Sequence, residues 1–174
     1  MSKHQRTTAL AASAAAAIAL LLPAASAPAA RVHAAISKCA TSGLVMWINA
    51  EGSGTAGSFY FKLEIANLSG RSCTLAGYPG VSAIDLRGGR IGAPATRDTT
   101  NAPHTVTLAP EAQTTAIVRV IDVGALPASC RPRTAAGFRV YPPGQATSKL
   151  VPFPFHTCSS SSQHALSVRA VKTE

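Results

Sequence analysis

The alternating residues of segment 57–80, GSFYFKLEIANLSGRSCTLAGYPG, constrain the fold of this chain more than any other feature. One side of an extended chain would carry Phe59, Phe61, Leu63 and Ile65, and the residues between them would lie on the other side. This two-residue period predicts a β-strand with one buried face. We therefore expect the row of phenylalanines that begins at Phe59 to lie in the core.

The polar side of this strand and its flanking turns complete the pattern. Glu64 lies mid-strand on the polar face, where we expect a solvated carboxylate. Turn-forming residues follow at 67–70 and again at 77–80, on either side of Cys73. The segment therefore predicts a strand, a turn, a short connection through Cys73 and a second turn.

Residues 1–30 have the pattern of a secretory signal peptide. Lys3 and Arg6 precede an apolar run over residues 9–22, and small residues then predict cleavage near Ala27 to Ala30. A membrane anchor is the alternative, but the run is shorter than the roughly 20 residues that a spanning helix needs. We therefore predict an exported protein with no membrane span after processing.

The remaining residues, 31–174, have the length of one domain, with a core at about 39–172. The first cysteine, Cys39, does not lie at the cleavage point, which disfavours a lipid-anchored protein. We expect a secreted, extracytoplasmic protein that is released or loosely associated with the cell wall.

Four cysteines, Cys39, Cys73, Cys130 and Cys158, follow the predicted signal peptide. An even number of cysteines in an exported chain indicates disulfides, and four cysteines allow three pairings. We predict Cys39–Cys73 and Cys130–Cys158, because each pair brackets a predicted strand pair whose outer ends should lie close together.

A metal site is the alternative for some of these residues. It would use His156, Cys158 and His164, but the chain has no CxxC pair and a His-x-Cys spacing is not typical of zinc sites. We therefore predict no metal and no other cofactor.

Short apolar runs separated by turn signals continue along the chain. Further strands are predicted at 44–49, 81–86, 104–108, 114–123, 137–141, 149–155 and 165–172, with loops at 92–103 and 124–136. No helix is predicted. Seven to nine short strands with turns between them are typical of an antiparallel β-sandwich.

Three of these segments carry more specific signals. Residues 114–123 are the longest β-branched run and predict a central strand. Pro152 and Pro154 cannot donate to a sheet, so 149–155 should be an edge strand. Trp47 is expected to be a core or half-buried aromatic rather than a ligand platform.

Residues 52–57 match GxGxxG, the dinucleotide-binding pattern. That motif needs a strand before it and a helix after it, so that the helix N-terminus holds the pyrophosphate. Here a strand follows, so we interpret the match as accidental and predict a flexible loop.

Several of these elements together resemble a known family. They are Cys39 with Trp47, Gly57-Ser58-Phe59-Tyr60, the string NLSGRSC from Asn67, LAGYPGV from Leu75, Leu108-Ala109-Pro110, and Val140-Tyr141-Pro142-Pro143-Gly144 with Cys158. They look like the secreted actinobacterial family called domain of unknown function 4232, over about residues 39–172. The resemblance implies an exported, disulfide-containing, immunoglobulin-like β-sandwich. It implies no activity, so no catalytic residue is carried over.

Candidate catalytic residues are sparse. There is no GxSxG motif, and Asp85, Asp98 and Asp122 lie near turns or strand ends, where aspartate is common. We predict a protein that is not an enzyme and has no catalytic residues. The alternative is a cryptic extracellular hydrolase that uses Asp85, Asp98 or His156.

Positive charge is the stronger functional indication. The chain has a formal net charge of +9 at pH 7, and loss of the signal peptide, with Lys3 and Arg6, leaves about +7. The arginines lie on predicted loops and polar faces, at Arg71, Arg87, Arg90, Arg97, Arg119, Arg131, Arg133 and Arg139.

This charge is compatible with a merely soluble cationic surface, or with attraction to an anionic partner. Nucleic acid is disfavoured, because the arginines are not interleaved with aromatics and the chain is exported. We predict a non-catalytic binding module at the cell envelope, for an anionic wall polymer or a secreted or surface protein. Its binding loops are expected at 50–57, 92–103 and 142–148.

Overall fold

The computed structural model describes residues 35–55 and 57–172, so the predicted signal peptide lies outside the described residues. These residues form eleven strands: β1 Leu44–Thr55, β2 Ser58–Asn67, β3 Cys73–Ala76, β4 Gly80–Ile84, β5 Arg90–Ile91, β6 Thr96–Asp98, β7 Thr105–Leu108, β8 Gln113–Ile121, β9 Pro132–Tyr141, β10 Lys149–Cys158 and β11 Leu166–Arg169. Three single 3₁₀ turns, Thr41–Gly43, Val123–Ala125 and Ala128–Cys130, are the helical elements of this part of the chain.

The all-β prediction is confirmed. The strand number exceeds the expected seven to nine, partly because β5 and β6 are too short to show a hydrophobic period; β6 lies within the predicted loop 92–103. The predicted irregular connection 124–136 also ends early, because β9 begins at Pro132. No helix in the described ranges has the length and apolar character that a membrane crossing requires.

The strands form three sheets. One has five strands in the order β1-β2-β8-β11-β6, the second has four in the order β10-β9-β4-β5, and the third pairs β3 with β7. As predicted, β8 is central and the proline-containing β10 is an edge strand. The β11–β6 pair is parallel, whereas the other pairs of these eleven strands are antiparallel, as expected. The immunoglobulin-like strand connection that the resemblance implies stays a prediction.

The main hydrophobic core combines buried side chains from all three sheets. Each sheet contributes buried side chains to it, such as Leu63 and Val118 from the five-stranded sheet, Phe138 and Val140 from the four-stranded sheet, and Leu108 from the two-stranded sheet. Burial of these faces is the main favourable term in folding.

The alternation in β2 correctly identifies only part of the buried face. Leu63 and Ile65 are fully buried, but Phe59 keeps 45% of its surface exposed. Glu64, expected in solvent, is only 5% exposed. It lies between Trp47 of β1 and Thr115 of β8. Thr115 is also buried, so the outer face is covered at this point.

Two buried disulfides hold the ends of these elements. Cys39 is bonded to Cys73, and Cys130 is bonded to Cys158, which is the predicted pairing. The first bridge joins the segment before β1 to β3, and the second joins the connector after β8 to the end of β10. In the chain-entropy account, each bridge stabilises the fold by about 2–4 kcal/mol.

The glycines of segment 52–57 have a packing role, and the prediction of a flexible loop there is wrong because β1 runs to Thr55. Gly54 lies directly opposite Phe59. A Cβ atom added at Gly52 would lie 2.7 Å from Cε1 of Phe61. The aromatic rings thus pass over strand positions that have no side chain, an arrangement known to stabilise glycines in edge strands.

Replacing Gly137 by alanine should destabilise the fold. A Cβ atom there would lie 2.2 Å from the backbone oxygen of Val151 in the adjacent strand β10, which forces the two strands apart. We expect a loss of about 1–3 kcal/mol or more in the free energy of unfolding, measured with urea. The control is Gly54→Ala, whose Cβ would make ordinary contact at 3.7 Å with Phe59; an equal loss there would contradict the explanation.

Candidate functional site

The outer face of the five-stranded sheet carries aromatic and cationic side chains side by side. Tyr60 of β2 pairs in register with Arg119 of β8, and Lys62 is two residues along β2 from Tyr60. Trp47 lies on the same face of the adjacent strand β1, opposite Glu64. We call Trp47, Tyr60, Lys62 and Arg119 the basic aromatic face.

Contacts hold the Arg119 guanidinium in place without neutralising it. Its Nε atom donates a hydrogen bond of 3.0 Å to the hydroxyl of Ser58. Its central carbon lies 6.0 Å from the centre of the Tyr60 ring, within the range of a cation–π contact. Lys62 is exposed and Trp47 keeps 39% of its surface exposed, so the face is open to a ligand.

The carboxylates of Asp85 and Asp122 accept hydrogen bonds from the backbone of their own turns. Asp85 accepts hydrogen bonds from the backbone N–H of Arg87 and Gly89, at 2.9 and 2.7 Å. Asp122 accepts one from Gly124 at 2.8 Å. Among the arginines in ranges 35–55 and 57–172, Arg169 is the one that forms an ion pair, at 2.9 Å from Asp98.

These contacts also show where the candidate hydrolase residues lie. Asp98 is in β6, Asp85 is in the turn after β4 and His156 is in β10. The His156 ring nitrogen Nδ1 lies 3.4 Å from the hydroxyl of Thr134. No contact joins Asp85, Asp98 and His156 to one another in the described structure, so each has a separate structural setting.

The metal alternative is wrong for a chemical reason. Cys158 is bonded to Cys130, and a disulfide sulfur has no thiolate to offer a metal ion. His156 and His164 are both exposed. The proposed set of His156, Cys158 and His164 therefore lacks its central ligand.

A second feature, the aromatic cleft, opens at one end of the core. It has a volume of about 310 Å³ and is lined by Phe59 and Phe61 of β2, Phe153 and Phe155 of β10, with Asp122 and His156 among the remaining residues of its wall. Sequence alternation missed this cleft because it placed Phe59 in the core.

A β-bulge lies beside the cleft. Phe153 and Pro154 of β10 lie opposite the single residue Ala136 of β9. Phe153 and Phe155 are two residues apart and share the inward face of β10 with the buried Val151. Both pack against Phe138, with ring centres 6.2 and 4.4 Å away. The two prolines that predicted an edge strand flank Phe153.

A third feature is a slot in the four-stranded sheet. β4 ends at Ile84, which pairs with Gly137, so residues 132–136 of β9 have no strand on that side. The space beside them is about 640 Å³ and includes Arg87 and Arg133. At its rim, Leu86 is 96% exposed.

The segments predicted as binding loops are more ordered than expected. Residues 50–55 belong to β1, and residues 96–98 form β6. In 142–148, Pro142 and Pro143 are buried. The open cationic and aromatic surfaces therefore lie mainly on sheet faces and at a strand end.

Together these features define an all-β domain with two disulfides, a basic outer sheet face and an open aromatic cleft. The chain matches the model of the family described as Domain of unknown function (DUF4232) over residues 39–172. The chain therefore belongs to that family. No curated protein is significantly similar to it.

The Asp98–Arg169 pair should make the free energy of unfolding depend on pH in the acidic range. The hydrogen bond from Arg169, aided by Thr100, lowers the pKa of the Asp98 carboxyl from 3.8 to about 2. A lowered folded-state pKa contributes stability above pH 3.8 that is lost as the pH falls towards 2.

We therefore expect the unfolding free energy of the wild type to exceed that of Asp98→Asn at pH 6, with the difference shrinking between pH 4 and pH 2. Urea unfolding at several pH values measures this difference. Asp85→Asn is the control for a turn aspartate without an ion pair. A difference for Asp98→Asn that is constant across this pH range would contradict the assignment.

Proposed function

We propose that this protein is an extracytoplasmic, non-catalytic binding module that holds an anionic polymer of the cell envelope on its basic aromatic face. Two disulfides support the location, because such bonds are typical of proteins outside the reducing cytoplasm. The predicted signal peptide supports export in the same way.

The observation that carries the proposal is the pairing of Arg119 with Tyr60 next to Lys62 on an open sheet face. Arg119 and Lys62 attract negative charge, and the excess of positive charge over the whole chain increases the local concentration of an anionic ligand. Trp47 and Tyr60 add flat apolar area with polar edges, which suits contact with groups that are partly apolar and partly hydrated.

The shape of this face favours an extended ligand. Trp47, Tyr60, Lys62 and Arg119 line none of the four main cavities of the described residues. A chain-like polyanion can lie across strands β1, β2 and β8 and contact both Lys62 and Arg119, whereas a small anion would meet an open sheet face.

The absence of catalysis remains part of the proposal. Its support is that Asp85 and Asp122 cap turns and Asp98 is ion-paired, so these three carboxylates have structural partners. Hydrolase activity on glycoside, ester or peptide substrates that is lost in His156→Ala would contradict it.

The proposal predicts salt-sensitive binding to cell walls through Lys62. We expect the purified mature protein to be retained on isolated actinobacterial cell walls at low ionic strength and released by added salt, because exposed charges are screened. Lys62→Glu should weaken retention about three- to tenfold, since it replaces an attraction by a repulsion.

Arg71→Glu is the matched control. Arg71 is also exposed, it carries the same positive charge, and it lies in the turn after β2, away from the basic aromatic face. Co-sedimentation with walls measures both variants. Equal weakening by the two substitutions would indicate a non-specific charge effect, and retention unchanged by salt would exclude the proposed mode of binding.

A further inference from the structure

The phenylalanines of this protein form one connected set that ends in the open cleft. The chain has five phenylalanines. Their ring contacts are Phe59–Phe61, Phe61–Phe153, Phe153–Phe138 and Phe138–Phe155, with centre distances of 6.4, 4.8, 6.2 and 4.4 Å. The set runs from the fully buried Phe138 to Phe59, which is 45% exposed.

The exposed part of the Phe59 ring is apolar surface that stays in contact with water, although its burial would favour folding. An exposed apolar surface of this kind commonly marks a binding site. The cleft volume of about 310 Å³ lies at the lower end of the range for small-molecule sites. The space therefore suits one ring-sized group.

The walls of the cleft are held in place before any ligand binds. On one side, the ring of Phe61 is held against Gly52, where a Cβ atom would lie only 2.7 Å from it. On the other side, the disulfide Cys130–Cys158 packs against Val123, next to Asp122. Such pre-organisation lowers the entropy that binding costs.

The charge of the cleft is opposite to that of the protein as a whole. Asp122 is among the residues that line it. The Oδ1 atom of Asp122 accepts a hydrogen bond from the backbone N–H of Gly124, and its own backbone N–H donates to the carbonyl oxygen of Gly57 at 3.0 Å. These two bonds fix the position of the carboxylate. The described residues that line the cleft include no lysine or arginine.

Three other cavities of the described residues each include a cation. Those cations are Arg87 and Arg133, Arg169 and Lys172, and Lys38. Compared with these three cavities, the aromatic cleft repels a positive ligand least. The faces of its phenylalanine rings also carry negative partial charge, which attracts cations.

We propose that the aromatic cleft binds an organic cation, namely a ring-sized apolar group that bears a quaternary or substituted ammonium. The apolar body of the ligand packs among Phe59, Phe61, Phe153 and Phe155. Its positive nitrogen lies against the ring faces at the rim, towards the carboxylate of Asp122. This site is separate from the basic aromatic face and does not depend on the function proposed for that face.

The test compares two probes of the same shape. (4-Hydroxyphenyl)trimethylammonium carries the charge, and 4-tert-butylphenol is its neutral counterpart. Both are titrated into the disulfide-bonded mature protein, and binding is followed by NMR shifts of the backbone amides of the cleft. We expect the cation to bind about three- to tenfold more tightly than the neutral probe, the ratio typical of a cation–π contact.

Two isosteric variants distinguish the effect of the Asp122 carboxylate on binding from the effect of the protein's net charge. Asp122→Asn should lower the affinity for the cation about three- to tenfold and leave the neutral probe unchanged, because asparagine can still cap the turn. Asp85→Asn makes the same change of charge in another capped turn, and should change neither affinity.

Phe59→Ala should lower the affinity for both probes, because it removes part of the apolar wall of the cleft. The proposal is overturned if the neutral probe binds as tightly as the cation, if neither probe shifts the cleft amides at millimolar concentration, or if Asp85→Asn matches the effect of Asp122→Asn. Retention on cell walls is measured in a separate experiment. A failure of the probes to bind the cleft therefore leaves the result for Lys62→Glu unaffected.

Discussion

The antiparallel ladder between β2 and β8 is the constraint on which the rest of the structure depends. It is unbroken from the Ser58–Ile121 pair to the Ala66–Gln113 pair. Because side chains alternate between faces, this register places Leu63 in the core and Lys62 on the outer face. A slip of one residue would exchange the two faces, so the ladder determines the core and both candidate surfaces together.

The sequence predicts best those features that depend on local chemistry. Prolines in segment 149–155 correctly predict an edge strand, because a missing N–H has the same consequence in any sheet. The β-branched run at 114–123 likewise predicts the central strand. The disulfide pairing was also predictable, although it needed an assumption about which strand ends lie together.

Burial at Phe59 and Glu64 could not be predicted, because alternation reports which way a side chain points and not what lies above it. Phe59 points towards the core side, but there it meets the open cleft and keeps 45% of its surface exposed. Glu64 points outward, but it is buried together with its neighbour Thr115. Neither outcome follows from the alternation of the strand itself.

The candidate sites were hidden from the sequence for the same reason. Positive charge was evident, and Arg119 was among the arginines considered, but its partner Tyr60 becomes apparent only from the register of β2 and β8. The cleft joins residues 59–61 of β2 to residues 153–155 of β10, which lie in different sheets. No local pattern predicts that these two distant strands will come together.

An open aromatic cleft has a cost in stability that the disulfides offset. Burying one phenylalanine side chain contributes about 1.5–3 kcal/mol, and one disulfide contributes about 2–4 kcal/mol. The bridge Cys130–Cys158 is therefore of the right size to compensate for a partly exposed Phe59. It also lies beside the connector that carries Asp122. The same covalent bond thus joins the connector after Asp122 to the end of β10, the strand whose Phe153 and Phe155 line the cleft.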